Sequence, residues 1–120
     1  MKTLLDANAI LRYLLGDVEE QSNASAEQIK AGCEVNIEVL AECVYVLSRV
    51  YSADRDAISI ALIKFLDEVA CTRAGVAKCA LEIFAQKNLD FVDCVLLAES
   101  RVNSRRVFTF DKKLNRELMK

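Results

Sequence analysis

Two short apolar runs, each stopped by an aspartate, constrain this chain more than any other feature. Leu4-Leu5 ends at Asp6 and Val107-Phe108-Thr109-Phe110 ends at Asp111, and behind each acid the pattern changes to helical spacing. That change is how a strand feeding directly into a helix is written in sequence. After Asp6, Ile10, Leu11, Leu14 and Leu15 recur on one face until Gly16, which is placed as a C′ glycine. Glu19 to Ala31 is compatible with a helix ending at Gly32, and Cys33-Glu34-Val35-Asn36 reads as a second strand. A third helix is expected from Ile37 to Tyr51, with Ile37, Leu40, Ala41, Val44, Leu47 and Tyr51 as its apolar stripe. Asp54 is placed to cap a helix carrying Ile58, Leu62, Phe65, Leu66 and Val69, apolar around much of its circumference. Residues 75–87 and Val92 to Val102 predict two more helices. Arg106-Val107-Phe108-Thr109-Phe110 is the clearest β run, and Lys112 to Lys120 reads as a terminal helix with Leu114 and Leu118 on one side. Short strands separated by helices or helix pairs predict an α/β sandwich, a small parallel sheet covered by helices on both faces.

The 120 residues, 53% of them hydrophobic and none proline, show no repeat, linker or low-complexity tract, so one domain over residues 1–120 is expected. Histidine is absent. This removes every Ser-His or Cys-His nucleophile pair, every His-ligated zinc site and any imidazole acid or base. The five cysteines, Cys33, Cys43, Cys71, Cys79 and Cys94, are odd in number and never form a C-x-x-C pair, which fits neither a disulfide framework nor a zinc ribbon. They read as small core residues in a reducing cytosol. No apolar run approaches the roughly 18 residues of a membrane span, and Asp6 interrupts what would be the apolar stretch of a leader, so a soluble, cytoplasmic protein is expected.

With imidazole gone, chemistry falls to the carboxylates. In open α/β sheets ligands gather at the carboxyl ends of the strands, where Asp6 and Asp111 stand. Aspartate is also among the best N-cap residues, so both positions have a purely structural explanation. Asp90 and Asp93 lie one turn apart at the start of a helix, where a cap and a first-turn acid favoured by the helix dipole would account for them equally. Glu42 is mid-helix, flanked at i−3, i+3 and i+4 by Val39, Tyr45 and Val46, and its face is expected to be half buried. A buried carboxylate needs a cation, a proton or a polar cavity, unless it pairs with Arg49 or bends to water. Acids from four separated segments, with no imidazole or thiolate beside them, suit a hard cation such as Mg²⁺ or Mn²⁺ rather than zinc.

Four segments, Leu4-Leu5-Asp6-Ala7-Asn8-Ala9-Ile10-Leu11-Arg12, Val39-Leu40-Ala41-Glu42-Cys43-Val44, Leu89-Asp90-Phe91-Val92-Asp93-Cys94-Val95-Leu96-Leu97-Ala98 and Val107-Phe108-Thr109-Phe110-Asp111-Lys112-Lys113, resemble in order and spacing the acidic motifs of PIN domains. The variant is similar to the VapC ribonuclease toxins of prokaryotic toxin–antitoxin pairs, and the resemblance covers the whole chain. It implies a PIN-like α/β/α sandwich in which Asp6, Glu42, Asp93 and Asp111 are the catalytic, metal-holding acids. Asp90 is implied as an accessory metal residue, Asn8 as a polar position beside the first aspartate, and Thr109 as one beside the last. Asn36 stands where Ser or Thr is common before the third helix. The implied activity is hydrolysis of RNA phosphodiester bonds by water activated on Mg²⁺ or Mn²⁺. Implied partners are RNA, a cognate antitoxin that masks the site, and a second copy in a homodimer.

Two competing readings remain at this level. One keeps the PIN fold but makes it a protein-binding module without nuclease activity. The other is a phosphoacceptor receiver domain, which would want an acid pair after the first strand and five alternating strands, and would leave Glu42 unexplained. Glycine-rich phosphate loops are excluded, since the only glycines are Gly16, Gly32 and Gly75. An acidic pocket repels RNA, so cations outside it must draw the backbone in, and Arg12, Arg105, Arg106, Lys112 and Lys113 lie near the motif segments. A net charge of −2 argues against a strongly basic surface.

Overall fold

Four helices begin where a short polar side chain folds back on its own first turn. In a computed structural model describing residues 2–120, Asp6, Asn36, Asp54 and Asp111 each take an N–H three residues on, at 2.8, 3.0, 2.8 and 2.8 Å. Met1, where the leader reading begins, lies outside the described residues. A cap of this kind satisfies one of the donors a helix start leaves without a partner and contributes about 1 kcal/mol. The elements run β1 (Thr3–Leu4), α1 (Ala7–Leu15), α2 (Glu19–Ala31), β2 (Cys33–Glu34), α3 (Ile37–Arg49), α4 (Arg55–Leu66), α5 (Ala74–Gln86), α6 (Phe91–Asn103) and α7 (Lys112–Leu118). Gly16 ends α1 at φ +62°, its N–H bonded to the Arg12 carbonyl at 3.0 Å, the left-handed cap that glycine adopts without strain. α3 stops two residues before the expected Tyr51, and the chain then turns through Ser52 at φ +53°.

β1 and β2 pair in parallel with Thr3 opposite Cys33 and Leu4 opposite Glu34, and a parallel bridge from Glu34 to Ala70 adds a third chain segment. Leu5 N–H to Glu34 O at 3.0 Å, and Val35 N–H to Ala70 O and Ala70 N–H to Cys33 O at 2.9 Å, complete this short ladder. The expected fold class holds: among the described residues seven helices surround a small parallel sheet. α5 packs against both α4 and α6, α1 packs against α2, and α3 touches α1, α4 and α6, so α3 joins the two helical groups. Ile10, Leu40, Leu62, Phe65, Leu81, Leu97 and Leu114 are fully buried and belong to one continuous apolar cluster. All five cysteines are free; Cys33, Cys43 and Cys94 are buried as small core residues, while Cys71 and Cys79 are half buried.

The clearest β run is a correction. Arg106 to Phe110 is not a strand: among the described residues its backbone joins neither β1 nor β2. The alternation survives, with Val107 and Thr109 half buried, but Phe108 and Phe110 are 87% and 88% exposed. The two rings meet edge to face, with centroids 5.2 Å apart. Strand propensity measures packing on a half-buried pleated surface, and here the largest side chains face water, so nothing drives the ladder to form. Among the described residues no helix is long and apolar enough to cross a membrane.

Candidate active site

The acids are presented by helix starts and one helix face. Asp6 caps α1 through Oδ1, and Asp111 caps α7 in the same way, so the structural and chemical readings of these residues are compatible: one oxygen holds the helix and the other is left exposed. Thr109 positions the last acid. Its hydroxyl accepts the Asp111 N–H at 3.0 Å, and its carbonyl accepts from Asn115 Nδ2 at 2.9 Å. Asn8 is exposed in the first turn of α1. Asp90 occupies the N-cap position of α6 but makes no side-chain cap bond, leaving its exposed carboxylate free of the structural duty the sequence allowed it. Asn36 supplies the α3 cap itself, so the amide replaces a hydroxyl there without loss of the bond.

Glu42 differs from expectation. It is exposed on α3, because Tyr45 beside it is itself 61% exposed and does not wall it in. Asp93, on the first turn of α6, is the half-buried acid. Burial raises its pKa first, and the charges of Asp111 and Asp90 raise it further. The Cys43 thiol is pushed up to about 12 by burial, then by Glu42 and Asp6. Burial likewise pushes Cys94 up to about 12, opposed by Arg55 and reinforced by Asp93, Asp90 and Cys79. The acids therefore act electrostatically on two adjoining parts of the core, Asp6 and Glu42 on Cys43, and Asp90 and Asp93 on Cys94. Both thiols are protonated at neutral pH and unsuited to nucleophilic work.

Among the described residues no three acidic or cysteine side chains come close enough together to hold one ion. Charges influence one another over far longer distances than the 2.0–2.6 Å of Mg²⁺ or Ca²⁺ bonds, so the coupling of Asp93 to Asp90 and Asp111 does not amount to a closed cage. The donor chemistry, all carboxylate oxygen, does match a hard cation.

Beside the acids lies a cleft of about 300 Å³ between α3, the start of α4 and the start of α6, lined among others by Tyr45, Ser48, Arg49, Arg55, Asp90 and Val92. A smaller cavity of about 130 Å³ is lined by Lys87, Asn88, Leu89, Lys113, Arg116 and Glu117. Three of its lining residues are cations, of which Lys87 lies 3.5 Å from the Glu117 carboxylate in the same cavity. Lys113 Nζ donates to the Asn88 carbonyl at 3.1 Å, while Arg12 is committed elsewhere, 3.1 Å from Asp17 and donating to the Tyr51 hydroxyl at 3.0 Å. Arg105, Arg106 and Lys112 are exposed. Sequence reasoning placed Tyr45 and Arg49 only as neighbours of Glu42, and did not single out Arg55, Lys87 or Arg116. For Tyr45 and Arg49 a signal existed, since both follow Glu42 on α3 and Tyr45 lies one turn from it.

The family model of the PIN domain matches residues 3–116 of the chain. No curated protein and no solved structure matches it.

Proposed function

Because this chain belongs to the PIN domain family, whose members are mostly nucleases, we propose that it is a metal-dependent endoribonuclease of the VapC toxin type. The observation that carries this reading is Asp93, a half-buried acid whose pKa is raised first by burial and then by the charges of Asp111 and Asp90. Like charges gathered around a partly desolvated carboxylate destabilise a fold, and such arrangements concentrate at functional sites.

In this proposal residues 1–120 act as one domain in the cytoplasm. Asp6, Glu42, Asp93 and Asp111 would hold Mg²⁺ or Mn²⁺, with Asp90 as an accessory donor, once drawn closer together than they stand in this structure. The ion, when bound, lowers the pKa of a water and offsets charge on the scissile phosphate. Asp6 and Asp111 fix one oxygen each on a helix N-terminus and present the other, and Thr109 holds the Asp111 backbone, which restricts the directions those acids take. Lys87, Lys113 and Arg116 draw the RNA backbone toward a locale that its own acids would repel. Water activated at the ion would be the attacking group, leaving 5′-phosphate and 3′-hydroxyl ends. A cognate antitoxin masks the acids, and two copies form the resting toxin.

Expression without an antitoxin tests the reading. Growth should slow, and Asp6→Asn, Glu42→Gln, Asp93→Asn or Asp111→Asn should each relieve it, because each removes a charge from the same cation site while nearly preserving shape. Equal growth inhibition by wild type and all four variants would instead favour the protein-binding module.

A further inference from the structure

The cleft beside Asp90 brings together an exposed aromatic ring and two arginines. Tyr45 stands on its α3 wall, 61% exposed, with the Arg49 guanidinium carbon 5.8 Å from its ring centroid. Among the described residues no carboxylate pairs with Arg49. Arg55 closes the far side. Its Nη1 donates to the carbonyls of Phe84, Lys87 and Leu89 at 2.9, 2.8 and 2.9 Å, and its guanidinium carbon lies 4.0 Å from the Phe84 ring centroid. These contacts hold the Arg55 cation rigidly in place, and they leave Nη2 and Nε without a protein acceptor among the described residues.

Position adds to chemistry. Tyr45 lies one helical turn beyond Glu42 on α3, and Asp90 one turn before Asp93 on α6, so both walls of the cleft continue directly into acid-bearing turns. A volume of about 300 Å³ is at the small end of pockets that take single ligands, too narrow for a helix about 10 Å across. An exposed aromatic plate, two arginines and an edge shared with the acids fit a flat base joined to a phosphate.

We propose that this cleft is a nucleotide subsite for single-stranded RNA, in which one base stacks on Tyr45 and its phosphate is held by Arg49 and Arg55. The inference deepens the ribonuclease reading and rests on it for the direction of the strand: the nucleotide seated here adjoins the scissile bond.

Binding and cleavage are measured separately, so that the two ideas fail separately. A fluorescein-labelled single-stranded RNA of mixed sequence is titrated with the full chain in EDTA, following anisotropy, for wild type, Tyr45→Ala, Arg49→Gln and the exposed α2 control Lys30→Ala. Tyr45→Ala should weaken binding about tenfold, the scale of one lost base stack, and Tyr45→Phe should restore it. Arg49→Gln should weaken binding and flatten the dependence of log Kd on log salt by about 0.7, the signature of one lost phosphate contact on a single strand. Lys30→Ala should bind as wild type does. Wild-type affinity in both cleft variants overturns the subsite, as does failure of the wild type to bind RNA. The same RNA is then incubated with Mg²⁺. RNA cleavage with unchanged KM and cut sites in the cleft variants leaves the ribonuclease standing and removes the subsite. Tyr45-dependent binding without cleavage does the reverse.

Discussion

Asp6 and Asp111 each commit one carboxylate oxygen to a helix N-terminus, which makes the asparagine substitution informative at both positions. Asparagine caps about as well as aspartate, so Asp6→Asn and Asp111→Asn should change stability by no more than about 0.5 kcal/mol, whereas alanine should cost about 1 kcal/mol. RNA cleavage should fall by at least about 100-fold in both asparagine variants, since even residues behind a metal's direct ligands cost up to that much when changed. Activity retained in both would reduce them to caps. Asp93 makes a different prediction, because its folded pKa is raised. Between its ordinary value and the folded one, the native state binds more protons than the unfolded chain, so its contribution is most favourable at low pH and is lost as pH rises through the folded pKa. At neutral pH in EDTA, Asp93→Asn should therefore melt above wild type, and the gap should close on acidification. Mg²⁺ should reverse the order, as it stabilises whichever folded protein binds it more tightly. A lower melting temperature for Asp93→Asn in both buffers would mark Asp93 as a simple first-turn acid.

Helices were legible in this sequence because their determinants are local. The caps at Asp54 and Asp111 and the stop at Gly16 fall where residue type alone puts them, and the apolar stripe of α3 covers Leu40, Val44 and Leu47, all buried. The segment 106–110 was not legible, since a strand is made by its partner and its buried face, neither of which is written in the five residues themselves. Glu42 misled for a related reason: its exposure depends on which way α3 turns its flank, and Tyr45 faces outward with it. The acid positions were visible through their order along the chain, but which of them is partly buried was a property of packing. Changing Phe108 and Phe110 together to serine tests the 106–110 segment. Neither ring is buried, so stability should move by no more than about 0.5 kcal/mol in denaturant melts. A loss of 2 kcal/mol or more, the cost of emptying a core position, would show that the segment packs as a strand after all.

Across the whole molecule, charge is distributed rather than abundant. A formal charge of −2 coexists with a cavity lined by Lys87, Lys113 and Arg116 against the single acid Glu117, near the acids at Asp90 and Asp111 in sequence. Replacing Lys113 and Arg116 by glutamine should weaken RNA binding at all sequences alike and flatten the salt dependence by about 1.4, twice the single-strand value for one phosphate. An unchanged slope would place the backbone path elsewhere. The central claim, that carboxylates and a hard cation here cleave RNA, is tested most directly by incubating the purified protein with RNA in Mg²⁺ or Mn²⁺, with and without EDTA, and analysing the ends. The account predicts cleavage that stops in chelator and leaves 5′-phosphate and 3′-hydroxyl ends, because every proposed ligand is an oxygen and the proposed attacking group is a metal-activated water. Cleavage that persists in EDTA, or 2′,3′-cyclic phosphate ends, would contradict it.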